Sequence, residues 1–340
     1  MGIARDPIKN GREHDKSQAL GRSPEPSSAR TRGEASVMGQ LASRANTWIL
    51  VGWVAAAAAC APACNRSEPR IEPTPEKTVM RVREPAVAGS FYPDDPDELA
   101  AMVDGYLAEA KARNLPGLRA LVCPHAGYIY SGKTAGIGFR QVTGRPFDQV
   151  VVMAPSHRVA FRGVAVPAAD AFDTPLGKIP VSARADELGK SQPFLVDSRP
   201  HAQEHALEVE LPFLQRVLKR FELIPLVFGK VDEKAAAAAL GKLVGPRTLF
   251  VASSDLSHYH PYDQARALDQ ATVDAILRLD IDAIGHAEAC GRSPVLALAH
   301  LALAQGWKTE LLDYRNSGDT AGDPSRVVGY AAIAFYDGRP

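Results

Sequence analysis

Three histidines stand where an α/β protein places its reactive groups. The apolar run Arg119–Cys123 leads into Pro124-His125-Ala126-Gly127-Tyr128, and Gln149–Met153 leads into Ala154-Pro155-Ser156-His157. A third run, Thr248–Ala252, leads into Ser253-Ser254-Asp255-Leu256-Ser257-His258-Tyr259. Imidazole near neutral pH is both a lone-pair donor to metals and a proton carrier. Any one of these histidines has a bland reading as a surface or capping residue. Three at three strand ends, in a chain with only nine histidines, is a constellation. A fourth cluster, Glu204-His205, precedes a helix start, where lining a crevice and capping the helix are equal readings. Asp255 and His258 are three residues apart, close enough on a turn for the carboxylate to orient or charge the imidazole. The bland alternative is a structural histidine held by Asp255. A hydrolase built on Ser254 or Ser257 with His258 and Asp255 ranks last: there is no Gly-x-Ser-x-Gly elbow and no independent orienting acid.

These residues need a scaffold that joins distant segments of chain. Arg119–Cys123 and Gln149–Met153 are short continuous apolar runs, the pattern of strands buried on both faces. Phe221–Phe228 and Thr248–Ala252 repeat it. Helical stretches fall between the runs: Asp95–Ala112, Glu208–Arg220, Asp232–Leu243, Tyr262–Leu279 and Ser293–Gln305. In Glu208–Arg220, Val209, Phe213, Val217 and Leu218 share one face. Lys308–Tyr314 and Val327–Tyr336 read as strands with no helix between them. The expected fold is therefore α/β, with a mixed, largely parallel central sheet covered by helices on both faces. Phe161–Val181, rich in Gly and Pro, reads as a hairpin-like insertion. Open α/β sheets hold ligands at the carboxyl ends of their strands, so the three histidines converge if their strands are neighbours.

The 39 basic and 39 acidic side chains cancel, which argues against a broad electrostatic grip on nucleic acid. An apolar fraction of 46% is ample for a large core. Four cysteines are too few for a disulfide framework. Cys60 and Cys64 lack a matching second pair, so a structural zinc site is not expected there. Cys123, inside an apolar strand, reads as a small buried hydrophobe.

The N-terminal region reads as address and tether. Residues 1–37 are polar and aperiodic, too poor in apolar groups to fold alone, and are a start-site artefact if translation begins at Met38. Residues 38–60 carry Arg44, then the apolar run Trp48–Ala59, then Cys60, which is the layout of a lipoprotein-type signal peptide. The run is shorter than the roughly 20 apolar residues a membrane span needs. An uncleaved anchor helix is the bland alternative. Cys60 or Cys64, each after small residues, is the expected lipidation site, with a mild preference for Cys60. Residues 61–79, Pro- and Glu-rich, read as a semi-extended linker. This layout implies a bacterial cell-envelope location, lipid-anchored and periplasm-facing, or a cytoplasmic one if the region is not used.

Six strings carry a family resemblance: REPAVAGSFYP (83–93), PHAGYIYSG (124–132), APSH (154–157), EHALEVELPF (204–213), SSDLSHY (253–259) and ACGRSP (289–294). In order and spacing they resemble the Memo-like family, AmmeMemoRadiSam system protein B, across residues 80–340. That family is similar in fold to the class III extradiol ring-cleaving dioxygenases. The resemblance implies metal ligands at His125, His157 and Cys290, with iron or copper as the ion and zinc as a third option. Thiolate in place of the dioxygenases' carboxylate draws the preference towards softer ions and is itself oxidisable, so ring cleavage is not implied. It further implies His258, with Asp255, as the acid/base group. Tyr128, Tyr130 and Arg292 read as pocket residues or, equally, as packing or surface contacts, and His205 as a crevice or helix-capping residue. A competing fate for Cys290 is a disulfide to Cys123. The implied function is metal-dependent redox chemistry on a small molecule. The alternative is a non-enzymatic scaffold binding metal or peptide. AMMECR-type and radical-SAM proteins are the implied system partners.

Overall fold

The computed structural model describes residues 80–320 and 322–338. The expected leader, signal segment, Cys60, Cys64 and the 61–79 linker lie outside the described residues. Strands and helices alternate from the start: β1 (Val82–Arg83), α1 (Pro96–Glu109), β2 (Leu118–Cys123), α2 (Tyr128–Arg140) and β3 (Gln149–Pro155). Short elements follow: β4 (Val164–Val166), β5 (Ala171–Phe172), β6 (Ile179–Pro180), α3 (Ala183–Gly189), β7 (Phe194–Val196) and α4 (Arg199–Ala202). A 3-10 turn at Glu208–Glu210 leads into α5 (Leu211–Val217), β8 (Glu222–Phe228), α6 (Glu233–Leu240), β9 (Thr248–Ser253) and β10 (Asp255–His260). The chain closes with α7 (Tyr262–Leu277), α8 (Ile281–His286), α9 (Arg292–Gln305), β11 (Lys308–Asn316), α10 (Ser317–Thr320) and β12 (Val327–Tyr336).

The centre of the main sheet is four parallel strands in the order β2-β9-β3-β8. Antiparallel β12 pairs with β2 and also carries β10 and β11. On the other side β4 runs antiparallel to β8 and carries β7. The sheet is mixed and largely parallel at its centre, as the run lengths imply. β1, β5 and β6 form a small separate sheet. The β5–β6 pair is the hairpin within 161–181, whereas β4 joins the main sheet.

The continuous apolar runs are explained by helices on both faces. Val150, Val152 and Ala154 belong to one core, while Val151 and Met153 belong to the other. Side chains alternate across a strand, so a run buried on both faces has no polar beat. The first core packs under α1, α2 and α5, the second under α6, α8 and α9. Full burial of each Val or Leu contributes roughly 1.5–3 kcal/mol. α1 shows the local logic: the Asp95 carboxylate accepts from Asp97 N and Glu98 N, and Leu99, Val103 and Leu107 face the core.

Among the elements that escaped the periodicity reading are α2 and β10. α2 contains Gly132, Gly136 and Gly138, poor helix formers. A Cβ at Gly136 would lie 2.7 Å from the Tyr106 Cβ, so close packing of α2 on α1 takes precedence over propensity. The segment after β9, read as a loop, is β10: it pairs with β12 through irregular registers, so its polar string carries no clean alternation. The expected helix 208–220 begins as a 3-10 turn and ends at Val217. Among the described residues, no helix is long and apolar enough to cross a membrane.

Candidate metal centre

Because β2, β9 and β3 are neighbours, their carboxyl ends deliver His125, the Ser253–Asp255 corner and His157 to one place. His125 is fixed at three points. Its backbone N–H donates to Asp255 Oδ1 at 2.8 Å, its Nδ1 lies 2.7 Å from Ser253 Oγ, and its Nε2 lies 3.1 Å from Cys290 Sγ. Cys290 reaches it from the turn before α9, where the Asp255 N–H donates to the sulfur at 3.3 Å. The turn can approach this closely because residue 291 is glycine: a Cβ there would meet Ser253 O at 2.3 Å.

His157 is held by Glu204, whose Oε2 accepts from the His157 backbone N–H at 2.6 Å and whose Oε1 lies 2.9 Å from His157 Nδ1. A carboxylate on the rear nitrogen of a histidine fixes the ring's direction. His205 follows Glu204 directly and joins the group. His125, His157 and His205 each offer a ligand atom, all within 4.8 Å of one another. The His125 ring stands edge-on to both others, at 74° and 84°, while His157 and His205 are stacked at 4.7 Å and 25°. An imidazole lone pair lies in the ring plane. The stacked pair therefore does not aim at one point unless His205 turns.

Behind the cluster, Arg83 links the Glu204 backbone to a second buried carboxylate, Glu208. Glu208 accepts from Ala86 N, Val87 N, Tyr92 OH and the Arg83 guanidinium. Arg83 in turn donates to Glu204 O at 2.6 Å and His201 O at 3.0 Å. Glu210, fully buried, lies 2.6 Å from Ser253 Oγ.

The electrostatics suit a cation. Burial, helped by the neighbouring His157, brings His125 down to about 3. Burial and the neighbouring His125 bring His205 down to about 4. Both rings are therefore neutral, the form that ligates metals. Burial works against the charge of Glu204, yet hydrogen bonds from His157 and from Ala206 N outweigh it and bring the carboxyl down to about 2. Burial lifts Asp255 to about 6, against the hydrogen bond from His125 N. Burial also pushes the Cys290 thiol up.

The predicted site residues divide as follows. His125, His157, His205 and Cys290 come together. Among the described residues Cys123 and Cys290 are both free and not paired with each other, and Cys123 is buried in β2. Asp255 does not hold His258 by a hydrogen bond among the described residues. Its carboxylate grips the His125 backbone instead, because the two residues lie in strand β10 and not on a turn. His258 still sits near enough to influence the charge on His125 and Asp255. Its backbone N–H donates to Glu288, which also meets His260 Nε2 at 2.9 Å. Tyr128 is a core residue, 2% exposed, with its hydroxyl donating to Val209 O, so it packs behind the site. Arg292 is exposed, its guanidinium 3.4 Å from Ala287 O, and Tyr130 is exposed at the start of α2. Among the described residues neither the Ser254 hydroxyl, which donates to Asp255 O, nor the Ser257 hydroxyl is hydrogen-bonded to an imidazole, which counts against the hydrolase arrangement. A cavity of about 780 Å³ lies at the opposite, amino-terminal end of the strands, by Gln149 and Glu222. The convergent histidines lie at the other end of the sheet.

Sequence reasoning missed Ser253, Glu208 and Glu210 as site-building residues. No local signal marked them, because burial of the two glutamates in the string EVEL is decided by the closed fold.

The site and sheet define a class of protein, an α/β domain with a histidine cluster at the carboxyl ends of parallel strands. The profile of the Memo-like protein family matches residues 83–334, and the chain belongs to that family. A MEMO1 family protein of Archaeoglobus fulgidus is 36% identical over 269 residues, covering 75% of this chain and 99% of the relative. Those of Aquifex aeolicus and Methanosarcina barkeri are 37% and 38% identical, covering 75% and 74% of this chain and 100% and 99% of the relatives.

Proposed function

We propose that this protein holds iron or copper between His125, His157 and Cys290 and uses it for redox chemistry on a small molecule at the carboxyl end of the sheet. The observation that carries this reading is the 3.1 Å approach of Cys290 Sγ to His125 Nε2, with the His157 ring 5.3 Å from that of His125. Two imidazoles and a thiolate suit soft or borderline transition ions. Burial opposes loss of the thiol proton, so loading the site releases a proton and is favoured by higher pH. When bound, the ion supplies Lewis acidity and one-electron exchange. Around it Glu204 fixes the direction of His157, and His205 offers a neutral imidazole to a polar group of the ligand. His258, at the rim, is the candidate proton carrier. A lipid on Cys60 or Cys64 would hold the domain at the bacterial envelope.

Metal analysis of the full chain, purified without added metal, tests the ligand set. We expect about one ion per chain, falling well below that in His125→Ala and Cys290→Ser. Unchanged content in both variants refutes the set. Oxygen uptake with catechols or hydroquinones then separates an enzyme from a binding scaffold. Palmitate labelling in a bacterial host, lost in the Cys60→Ala, Cys64→Ala double variant, tests the anchor; persistent label rejects it.

A further inference from the structure

Behind His125 lies a hydroxyl with more partners than its own proton can serve. Ser253 Oγ, fully buried, is 2.6 Å from Ala206 O, 2.6 Å from Glu210 Oε1 and 2.7 Å from His125 Nδ1. A serine hydroxyl has one proton and two lone pairs. The Ala206 carbonyl can only accept, so it takes that proton. The other two neighbours must then donate. Glu210 can donate only if it carries a proton, and His125 only if its proton is on Nδ1.

A second observation points the same way. Glu210 Oε2 is buried and has no hydrogen-bond partner among the described residues. An orphaned oxygen on a buried carboxylate anion is costly, whereas the carbonyl oxygen of a neutral acid costs far less. Burial also pushes the Glu210 carboxyl well above its ordinary range, with Asp255 adding to the rise. The order acid–serine–imidazole is not that of a nucleophilic triad. Here serine is the middle member and is sealed from solvent.

We propose that Glu210 is a positioning residue: as a neutral carboxylic acid donating to Ser253, it holds His125 in the Nδ1–H form, with the Nε2 lone pair facing Cys290. The consequence for metal binding rests on the reading of His125 as a ligand, whereas the tautomer does not. If Glu210 were ionised, it and Ala206 O would share the single serine proton, and one of these two acceptors, each 2.6 Å away, would face a serine lone pair. With the acid in place, each lone pair of Ser253 Oγ has one donor, and Nε2 is left bare for a thiol proton or a cation.

The test uses the full chain stripped of metal by chelator. Infrared spectroscopy at neutral pH should show the carbonyl stretch of a protonated carboxyl that disappears in Glu210→Gln. Two-bond nitrogen–proton correlation on histidine-labelled protein, with His125 assigned by His125→Gln, should show the Nδ1–H pattern. Glu210→Gln, whose amide still donates to Ser253, should keep that pattern, while Glu210→Leu should mix in the Nε2–H form. Cobalt(II) alone, titrated into the two variants, should bind at least about tenfold more weakly to Glu210→Leu than to Glu210→Gln. Absence of the carboxyl band, or an Nε2–H pattern for His125 in the unmodified chain, overturns the proposal. A band and tautomer as expected without cobalt binding to any form would uphold it and refute the metal reading.

Discussion

Replacing Glu208 by glutamine should damage both the stability of the domain and the proposed metal centre. The Glu208 side chain is fully buried, and all four of its hydrogen-bond partners are donors. One oxygen faces Ala86 N and Arg83, the other Val87 N and Tyr92 OH. An amide therefore sets its NH₂ against donors whichever way it turns. It also leaves Arg83, only 7% exposed at its side chain, without a countercharge. Removing one partner of a buried ion pair costs about 3–5 kcal/mol. That is a large part of the roughly 5–15 kcal/mol that holds a domain together. For a domain of this size it corresponds to a fall in Tm on the order of 10 °C. Because Arg83 also holds the carbonyls of Glu204 and His201, metal affinity should fall as well. Urea denaturation followed by circular dichroism measures the first effect, and cobalt titration the second. The double variant Arg83→Met, Glu208→Leu removes both charges and should recover part of the loss. A Glu208→Gln protein within about 1 kcal/mol of the parent would refute the reasoning.

Three further outcomes follow from the same geometry. Gly291→Ala puts a methyl 2.3 Å from Ser253 O and should cost roughly 1–3 kcal/mol. It should also draw Cys290 away from His125, and unaltered metal affinity with lowered stability would show that the turn does not position the sulfur. Burial brings His201 down to about 4 from an ordinary 6.5, so the folded form resists protonation where the unfolded chain accepts it. Its contribution is complete above about 6.5 and is lost as pH falls towards 4, amounting to roughly 3 kcal/mol. The acid limb of a stability–pH curve should therefore be shallower in His201→Gln, and an identical slope would count against a buried neutral ring. Leu99→Ala opens a cavity under α1 and should cost about 2–5 kcal/mol by thermal or urea unfolding, with little change in cobalt affinity.

The sequence alone was sufficient for the parallel core and for which strand-end loops come together. Both are written in local pattern: unbroken apolar runs mark strands covered on two faces, and the residues just beyond them stand at the ligand edge. His125 and His157 were visible for that reason, and the motif strings added Cys290. Helix α2 was hidden because close approach to Tyr106 selects glycine against helix propensity. Strand β10 was hidden because its pairing partner, β12, lies far along the chain. The supporting shell was also beyond reach. Nothing local distinguishes Glu208 and Glu210, buried and fully inside the fold, from the surface glutamates around them. Nothing local distinguishes Tyr128, a core residue, from a pocket residue. Those assignments depend on which donors surround a carboxyl or hydroxyl once the chain has closed, and donors from residues a hundred positions apart meet only in the tertiary structure.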